Sequence, residues 1–388
     1  MMKRYVKAIG IVILIPFAIV ILSAIALYIP FVQQAAVNWL TVSAGKATGM
    51  KVRIGAVRLA FPLSLSLHDV EAIRLPKDTL LELDRLILDV QLRPLFDKQV
   101  KTNALEVKGA QINTFDMIDG MILKGYVGSL SAKVENADLN RQLAWLKNGK
   151  LSDANVTLQM IDTTIVDTSK TIIQWKIALD KLQLNHSSML VAMPSDSIWF
   201  RARIGNGKVT DLNADLFTNS YKIDKIRLDQ SAIQYDGSLS RPTKGIDPSH
   251  IRIMNIMAEV NRFFYNEKLM YGTLQSFDGV ERSGLHITSI TGSFQDDSVR
   301  FSLPDLKLTT PYSKAALSLD MPWHSIDEDN SVEQLAVSFN ASLGKNDLLT
   351  ALGPMAKDFR VAFPTKPVTL SAQVRGNMKS LTLNRIYG

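Results

Sequence analysis

The chain has 388 residues, no cysteine and a formal net charge of +7, which excludes a disulfide scaffold, a zinc ribbon and a cysteine nucleophile. Residues 1–68 hold seven basic residues (Lys3, Arg4, Lys7, Lys46, Lys51, Arg53, Arg58) and no acidic one, so 37 basic residues face 37 acidic ones after His68. The excess therefore sits beside the most apolar stretch, where anionic headgroups attract it, and not on a nucleic-acid-binding face.

That stretch is Ala8 to Ile29, 22 residues without a charge, passing through Ala8, Ile13, Pro16, Ile21 and Ile29. As a helix it measures about 33 Å, enough for a hydrocarbon core of about 30 Å. Pro16 is tolerated because a membrane helix adjusts locally around its missing hydrogen bond. Lys3, Arg4 and Lys7 precede the span and Pro30 to Gly45 carry no charge. The positive-inside rule thus puts the N-terminus in the cytoplasm and the body outside it, in the periplasm. A cleaved signal peptide with Ala24-Ile25-Ala26 as its site fits less well, because the apolar run continues through Leu27, Tyr28, Ile29 and Phe31. The expectation is residues 1–30 as cytoplasmic tip and single-pass anchor in the plasma (inner) membrane.

Residues 31–49 form the next unit. From Phe31 to Thr48 the spacing predicts a short amphipathic helix with Val32, Ala36, Trp39 and Leu40 on one face, ended by Gly49.

From Lys51 the period changes to two. Leu63, Leu65 and Leu67 alternate with Ser64, Ser66 and His68; Leu86, Leu88, Val90 and Leu92 follow. So do Val156, Leu158 and Met160, then Ile198, Phe200, Ala202 and Ile204. Leu317, Leu319 and Met321 come next, then Leu335, Val337, Phe339, Ala341 and Leu343, and Val368 to Val374 last. Strict alternation marks strands with one apolar and one polar face. Leu105–Ile112, Leu151–Val156, Leu182–Met189 and Ile226–Ile233 share a plan of alternating aliphatics, a small or polar turn, then alternation again, which reads as an antiparallel meander. Gly237–Gly245 with Asp247-Pro248 marks a boundary between a β segment over 50–240 and a second over 250–388. His324 to Ser331 reads as a polar loop, and Asn346–Phe359 as helical, interrupted at Gly353-Pro354.

Chemistry-bearing motifs are scarce. His68, His186, His250, His286 and His324 form no metal-spaced pair, and no nucleophile elbow, phosphate loop or dinucleotide fingerprint occurs. Asp296-Asp297 reads as a hairpin tip and His68 as a solvated side chain. The expectation is a non-enzyme without metal or cofactor; the lowest-ranked alternative is a membrane-anchored hydrolase or carbohydrate-binding β-domain, which requires a cleft holding convergent carboxylates. The sequons at Asn155, Asn185 and Asn340 are common by chance.

An apolar strand face must be covered. Leaving about 20 aliphatic side chains in water forfeits on the order of 30–60 kcal/mol, against a net domain stability of about 5–15 kcal/mol. A second sheet or bound lipid could cover it; helices are too few, and periodicity does not separate those two.

Thr48-Gly-Met-Lys-Val-Arg-Ile-Gly-Ala-Val-Arg-Leu-Ala-Phe-Pro62, Leu65-Ser-Leu-His-Asp-Val70, Asp78-Thr-Leu-Leu81 and Leu92-Arg-Pro-Leu-Phe-Asp-Lys-Gln-Val100 resemble, in order and spacing, the start of TamB proteins. These are the inner-membrane subunits of the translocation and assembly module, within the AsmA-like group. The resemblance covers roughly residues 8–110 and loosely the remainder. It implies a mainly β fold forming an elongated, twisted, taco-like groove in the periplasm, along which phospholipid passes towards the outer membrane. It also implies a role in assembling outer-membrane proteins and autotransporters, with an outer-membrane barrel (TamA-like) partner. Family members are far longer and end in a domain that contacts that barrel; this sequence stops at Tyr387-Gly388, so docking to the barrel is not carried over. The candidate lipid-contacting residues are Leu63, Leu65, Leu67, Leu86, Leu88, Val90, Val156, Leu158, Ile198, Phe200, Leu317, Leu319, Val337 and Phe339.

Overall fold

The computed structural model describes residues 37, 38, 41, 42, 45, 50–60, 64–74, 78–91, 101–116, 120–138, 141–161, 175–327, 332–358, 364–377 and 379–387. The anchor residues Ala8, Ile13, Pro16, Ile21 and Ile29, together with Trp39, Leu63 and Leu92, lie outside them. Among the described residues no helix is long and apolar enough to cross a membrane.

Eighteen strands form one sheet: β1 (Lys51–Ala60), β2 (Ser64–Arg74), β3 (Asp78–Val90), β4 (Thr102–Asn113), β5 (Met121–Asp138), β6 (Leu143–Met160), β7 (Lys176–Met193), β8 (Ile198–Asp215), β9 (Ser220–Asp236), β10 (His250–Asn266), β11 (Leu269–Glu281), β12 (His286–Ile287), β13 (Ser289–Asp297), β14 (Arg300–Thr309), β15 (Lys314–Pro322), β16 (Leu335–Leu343), β17 (Val368–Asn377) and β18 (Ser380–Tyr387). Each pairs with its neighbour in sequence, the two-residue β12 and then β13 both pairing with β11. The sheet is not closed: among the described residues β1 pairs with β2 alone and β18 with β17 alone.

The expected all-antiparallel meander needs one correction, because β6 and β7 run parallel. A parallel pair cannot be joined by a tight hairpin and needs a crossover. The segment between Gly237 and Ser249 is a loop, as read from its breakers. The sheet nevertheless continues across it, with β9 and β10 paired from His250↔Asp236 to Tyr265↔Tyr221.

The polar "turns" expected within the repeated segments are not turns. Gly109, Asp153, His186 and Gln230 lie inside continuous strands and carry φ of 60°, 56°, 45° and 49°. Asp69 and Asn255, with φ of 52° and 54°, do the same in β2 and β10. The register places them in one line across the strands, Gly55, Asp69, Asp84, Gly109, Gly128, Asp153, His186, Gly205 and Gln230, with Asn255 a step off it at a register shift between β9 and β10. A single left-handed residue resets strand alternation, so positions an odd number of residues apart on its two sides face the same way. Leu67 and Val70, three apart, are accordingly both buried, in one cluster with Val57, Leu83 and Ala110. The left-handed conformation costs a non-glycine residue about 1–2 kcal/mol, and Asp and Asn tolerate it best. Three of the opposing residues are glycines that leave room: a Cβ on Gly128 would lie 2.9 Å from the Asp153 Cβ, and one on Gly205 2.5 Å from the Gln230 carbonyl oxygen. A second line crosses at Asp180, Asp211, Asp224 and Arg262, with Asn148 one step off it opposite Lys181; Asn148, Asp211 and Arg262 have φ near 52°.

Among the described residues, helical ones cover little of this sheet. Val37, a helical residue outside the apolar face read from sequence, packs on the Val57–Leu67–Val70–Leu83–Ala110 cluster. α1 (Lys345–Leu352) and α2 (Met355–Asp358) flank Gly353-Pro354, as the breakers predict. Asp347 in the first turn of α1 accepts hydrogen bonds from Thr310 Oγ1 (2.5 Å) and Ser313 Oγ (2.6 Å) in the β14–β15 turn. At the other end Ile246 N donates to Ala351 O at 2.8 Å, and a Cβ on Gly353 would sit 2.8 Å from Gly245 N. The helix thus ties the β9–β10 loop to the β14–β15 turn.

Candidate functional site

Directly paired residues share a face of the sheet, so the register assembles the candidates. One apolar row crosses ten strands: Leu67, Leu86, Val107, Leu130, Leu151, Leu184, Gly207, Leu228, Ala258 and Phe277. Beyond the first left-handed line a second row continues the same face through Leu81, Ile112, Gly125, Val156, Met189, Ala202, Ile233 and Ile253. Leu65 pairs with Leu88; Leu158 reaches Phe200 through Val191; Leu317 meets Phe339 and Leu319 meets Val337. Ile198 pairs with Met193. Val90 departs from the pattern: a register shift places it opposite Thr102, which is 1% exposed.

Among the described candidates only Leu67 is fully buried, at 8% exposure. Leu65, Leu86, Leu88, Val90, Val156, Leu158, Ile198, Phe200, Leu317, Leu319, Val337 and Phe339 are all half-buried. A sealed sandwich interior would instead put both inner faces near full burial.

The opposite face is polar. Ser66, Ile87, Glu106, Ser131, Lys150, Gln183, Lys208, Arg227 and Glu259 make one of its rows. Glu259 bonds Arg227 Nε at 2.6 Å and Lys225 Nζ at 3.0 Å, and these cations, Lys225 foremost, hold its carboxyl below the usual range. Beyond the second left-handed line this face bears another row, which sequence reading did not single out: Trp145, Ala178, Asn213, Lys222, Phe264, Tyr271, Gln295 and Ser302. Every member lines one of two adjoining cavities, of about 500 Å³ and about 610 Å³, which share Lys222.

Of the histidines, His250 alone is fully buried, at 5% exposure. Its Nδ1 lies 3.1 Å from Asp236 Oδ1 and its Nε2 3.2 Å from Ser240 Oγ, while Gln234 Nε2 donates to Asp236 at 2.7 Å. The order Ser–His–Asp matches a hydrolytic triad, a grouping hidden in sequence because Ser240 and His250 sit on opposite arms of one loop. Hydrolysis also needs oxyanion donors and a cleft. Ser240 lines none of the described cavities, and its oxygen accepts from Ser238 Oγ at 3.0 Å. The chain of bonds acts as a strut holding the loop to β9 and β10. Asp247 completes it, accepting from Thr243 N (2.9 Å), Thr243 Oγ1 (3.1 Å) and Ser249 N (3.0 Å). The Thr243 amide above all keeps the Asp247 carboxyl below the usual carboxylate range, with further help from Ser249 N–H and His250. A depressed carboxylate stabilises the fold above its unfolded-state value of about 3.9 and loses that contribution as pH falls through the folded value. The Thr243 and Ser249 amide proton resonances are therefore expected to titrate with a midpoint below 3.9, roughly the free-Asp value. Asp247→Asn should abolish the transition.

Asp297 sits at the β13–β14 tip, accepting from Val299 N and Arg300 N at 2.8 Å each, the hairpin role read for Asp296-Asp297. His68 is half-buried with Ser66 Oγ 3.0 Å from Nε2. Among the described residues no group of three or more metal-binding side chains is placed to hold an ion.

The fold and these rows define a class: an open β-sheet with chemically opposite faces, one aliphatic and half-buried among the described residues, one polar. No family model and no curated protein matches the chain.

Proposed function

We propose that this protein is an inner-membrane-anchored, periplasmic scaffold that binds phospholipid acyl chains along its apolar face and conducts them between two membranes, as an AsmA-like or TamB-like protein. It works without chemistry of its own and without a cofactor. The carrying observation is the half-buried aliphatic face, continuous from strand to strand. With no second layer over that face among the described residues, acyl chains supply the cover, each buried methylene contributing about 0.8 kcal/mol. The transverse rows run across the strands, so a chain lying along them passes from one strand to the next at spacings of about 4.8 Å. In this reading the sheet curls into a taco-like groove with the aliphatic rows inside.

The decisive experiment places a photo-crosslinking residue at Leu158, Phe200 and Val337, with Lys208 on the polar face as control, and identifies adducts by mass spectrometry. Phospholipid adducts at the first three positions and none at Lys208 are expected. Absence of lipid at all three would end the lipid reading.

A second reading has its own support. The outer edge of β18 has no strand partner among the described residues, and Leu381 and Leu383 on it are 64% and 52% exposed. Such an edge accepts a client strand by augmentation, the action of an assembly factor for autotransporters and outer-membrane proteins. Crosslinks from β18 to nascent barrel segments, with no lipid adducts elsewhere, would favour it over the first reading.

A further inference from the structure

We infer that the cleft along the row from Trp145 to Ser302, on the polar face, is a binding site for an extended oligosaccharide that carries an acidic group. This inference is independent of the lipid reading, since it concerns the opposite face.

Shape comes first. The two cavities join at Lys222, and from Trp145 on β6 to Tyr271 on β11 there are five strand steps, about 24 Å, or roughly five pyranose lengths at about one strand spacing each. Aromatic rings stand towards the two ends of that span, with small or polar side chains at Ala178 and Asn213 between them. Trp145 remains 43% exposed although its position is set: Nε1 donates to Asp180 Oδ1 at 2.6 Å, and Lys147 Nζ lies 4.8 Å from the ring centroid. Tyr271, 36% exposed, stacks on Phe264 at 5.3 Å. An exposed ring held rigid offers a flat face to the C–H side of a pyranose, while amides and hydroxyls meet the sugar's hydroxyl edge.

The charges choose among polar ligands. Lys176 is matched by Asp215 at 3.0 Å, whereas Lys222 has no ion-pair partner among the described residues. Arg262, on the second left-handed line, reaches Thr273 Oγ1 at 3.2 Å. Lys222 and Arg262 thus offer positive charge to an acidic substituent, tempered by Asp224 in the same cavity. Two cations beside carboxylates are too few for a polyphosphate chain, whose affinity comes from many neutralised phosphates. A peptide added as a strand needs an open edge, and β6 to β11 are paired on both sides along this row.

The test is calorimetric titration of the full-length protein in detergent with three probes: an alginate hexamer, neutral cellohexaose and hexaglutamate. The alginate hexamer is expected to bind most tightly. Trp145→Ala and Tyr271→Ala should each weaken both sugars about tenfold, the loss of one ring contact together with its area. Lys222→Gln should weaken the alginate hexamer and leave cellohexaose unchanged. All three positions are on the surface, and circular dichroism checks the fold of each variant. Absence of binding by either sugar, indifference to the aromatic substitutions, or hexaglutamate binding as tightly as alginate would overturn the assignment. Indifference of alginate to Lys222→Gln would overturn its acidic-group component.

Discussion

Replacing Leu184 and Leu228 together by Glu is expected to reduce phospholipid co-purifying with the protein at least about tenfold, because each carboxylate would be desolvated beneath an acyl chain at a cost of several kcal/mol. Both residues lie in the apolar row on either side of Gly207, and both are half-buried. The substituted side chains can still reach water when no lipid is bound, so the sheet's strand signal in circular dichroism should persist. Lys208→Glu, on an exposed polar-face position adjoining that row, is the matched control and should leave lipid content unchanged. Quantitative lipid mass spectrometry reads both. Equal loss in the two variants would point to a general charge effect and away from an acyl-chain face.

The second large effect concerns the first left-handed line. Gly109→Val places a Cβ within 1.8 Å of Asp84 Oδ2 at a position with φ of 60°. β-branched residues are excluded there, so the expected destabilisation is about 3 kcal/mol or more. The flexible Asp84 side chain can move aside, but the backbone conformation cannot change without reversing alternation along β4. That reversal would turn Ala110 and Ile112 away from the aliphatic face. Asp153→Gly carries the opposite sign: it relieves a non-glycine residue at φ of 56° and should be neutral or stabilising by up to about 1 kcal/mol, depending on the entropy glycine adds to the unfolded chain. Urea unfolding of the two variants measures both shifts. If Gly109→Val proved harmless, the line would not constrain the sheet.

Much of the architecture is legible residue by residue. Leu86 and Leu88, Val156 and Leu158, or Leu317 and Leu319 stand two apart because a strand with one apolar face requires it, and they occupy strands. Gly353-Pro354 interrupts a helix for reasons internal to those two residues. The repeated segments misled for an equally local reason: Gly109 and Asp153 favour positive φ, and that preference is shared by turns and by alternation-resetting positions inside a strand. Only the pairing of Asp153 with Gly128 across β5 and β6 distinguishes them. The row from Trp145 to Ser302 was invisible for a related reason. Its members are spread over eight strands, and the parity of each depends on left-handed residues upstream.

Sequence by itself therefore determined that the chain is β-rich with a sided distribution of aliphatic and polar residues, since period and breaker residues act within a few positions of themselves. Tertiary structure alone decided that β6 and β7 run parallel, that the sheet stays open, and that segments out of phase in sequence present one continuous aliphatic face. Those outcomes depend on hydrogen-bond register between strands remote along the chain, and a one-residue change in register or a single left-handed φ moves every subsequent side chain to the other side of the sheet.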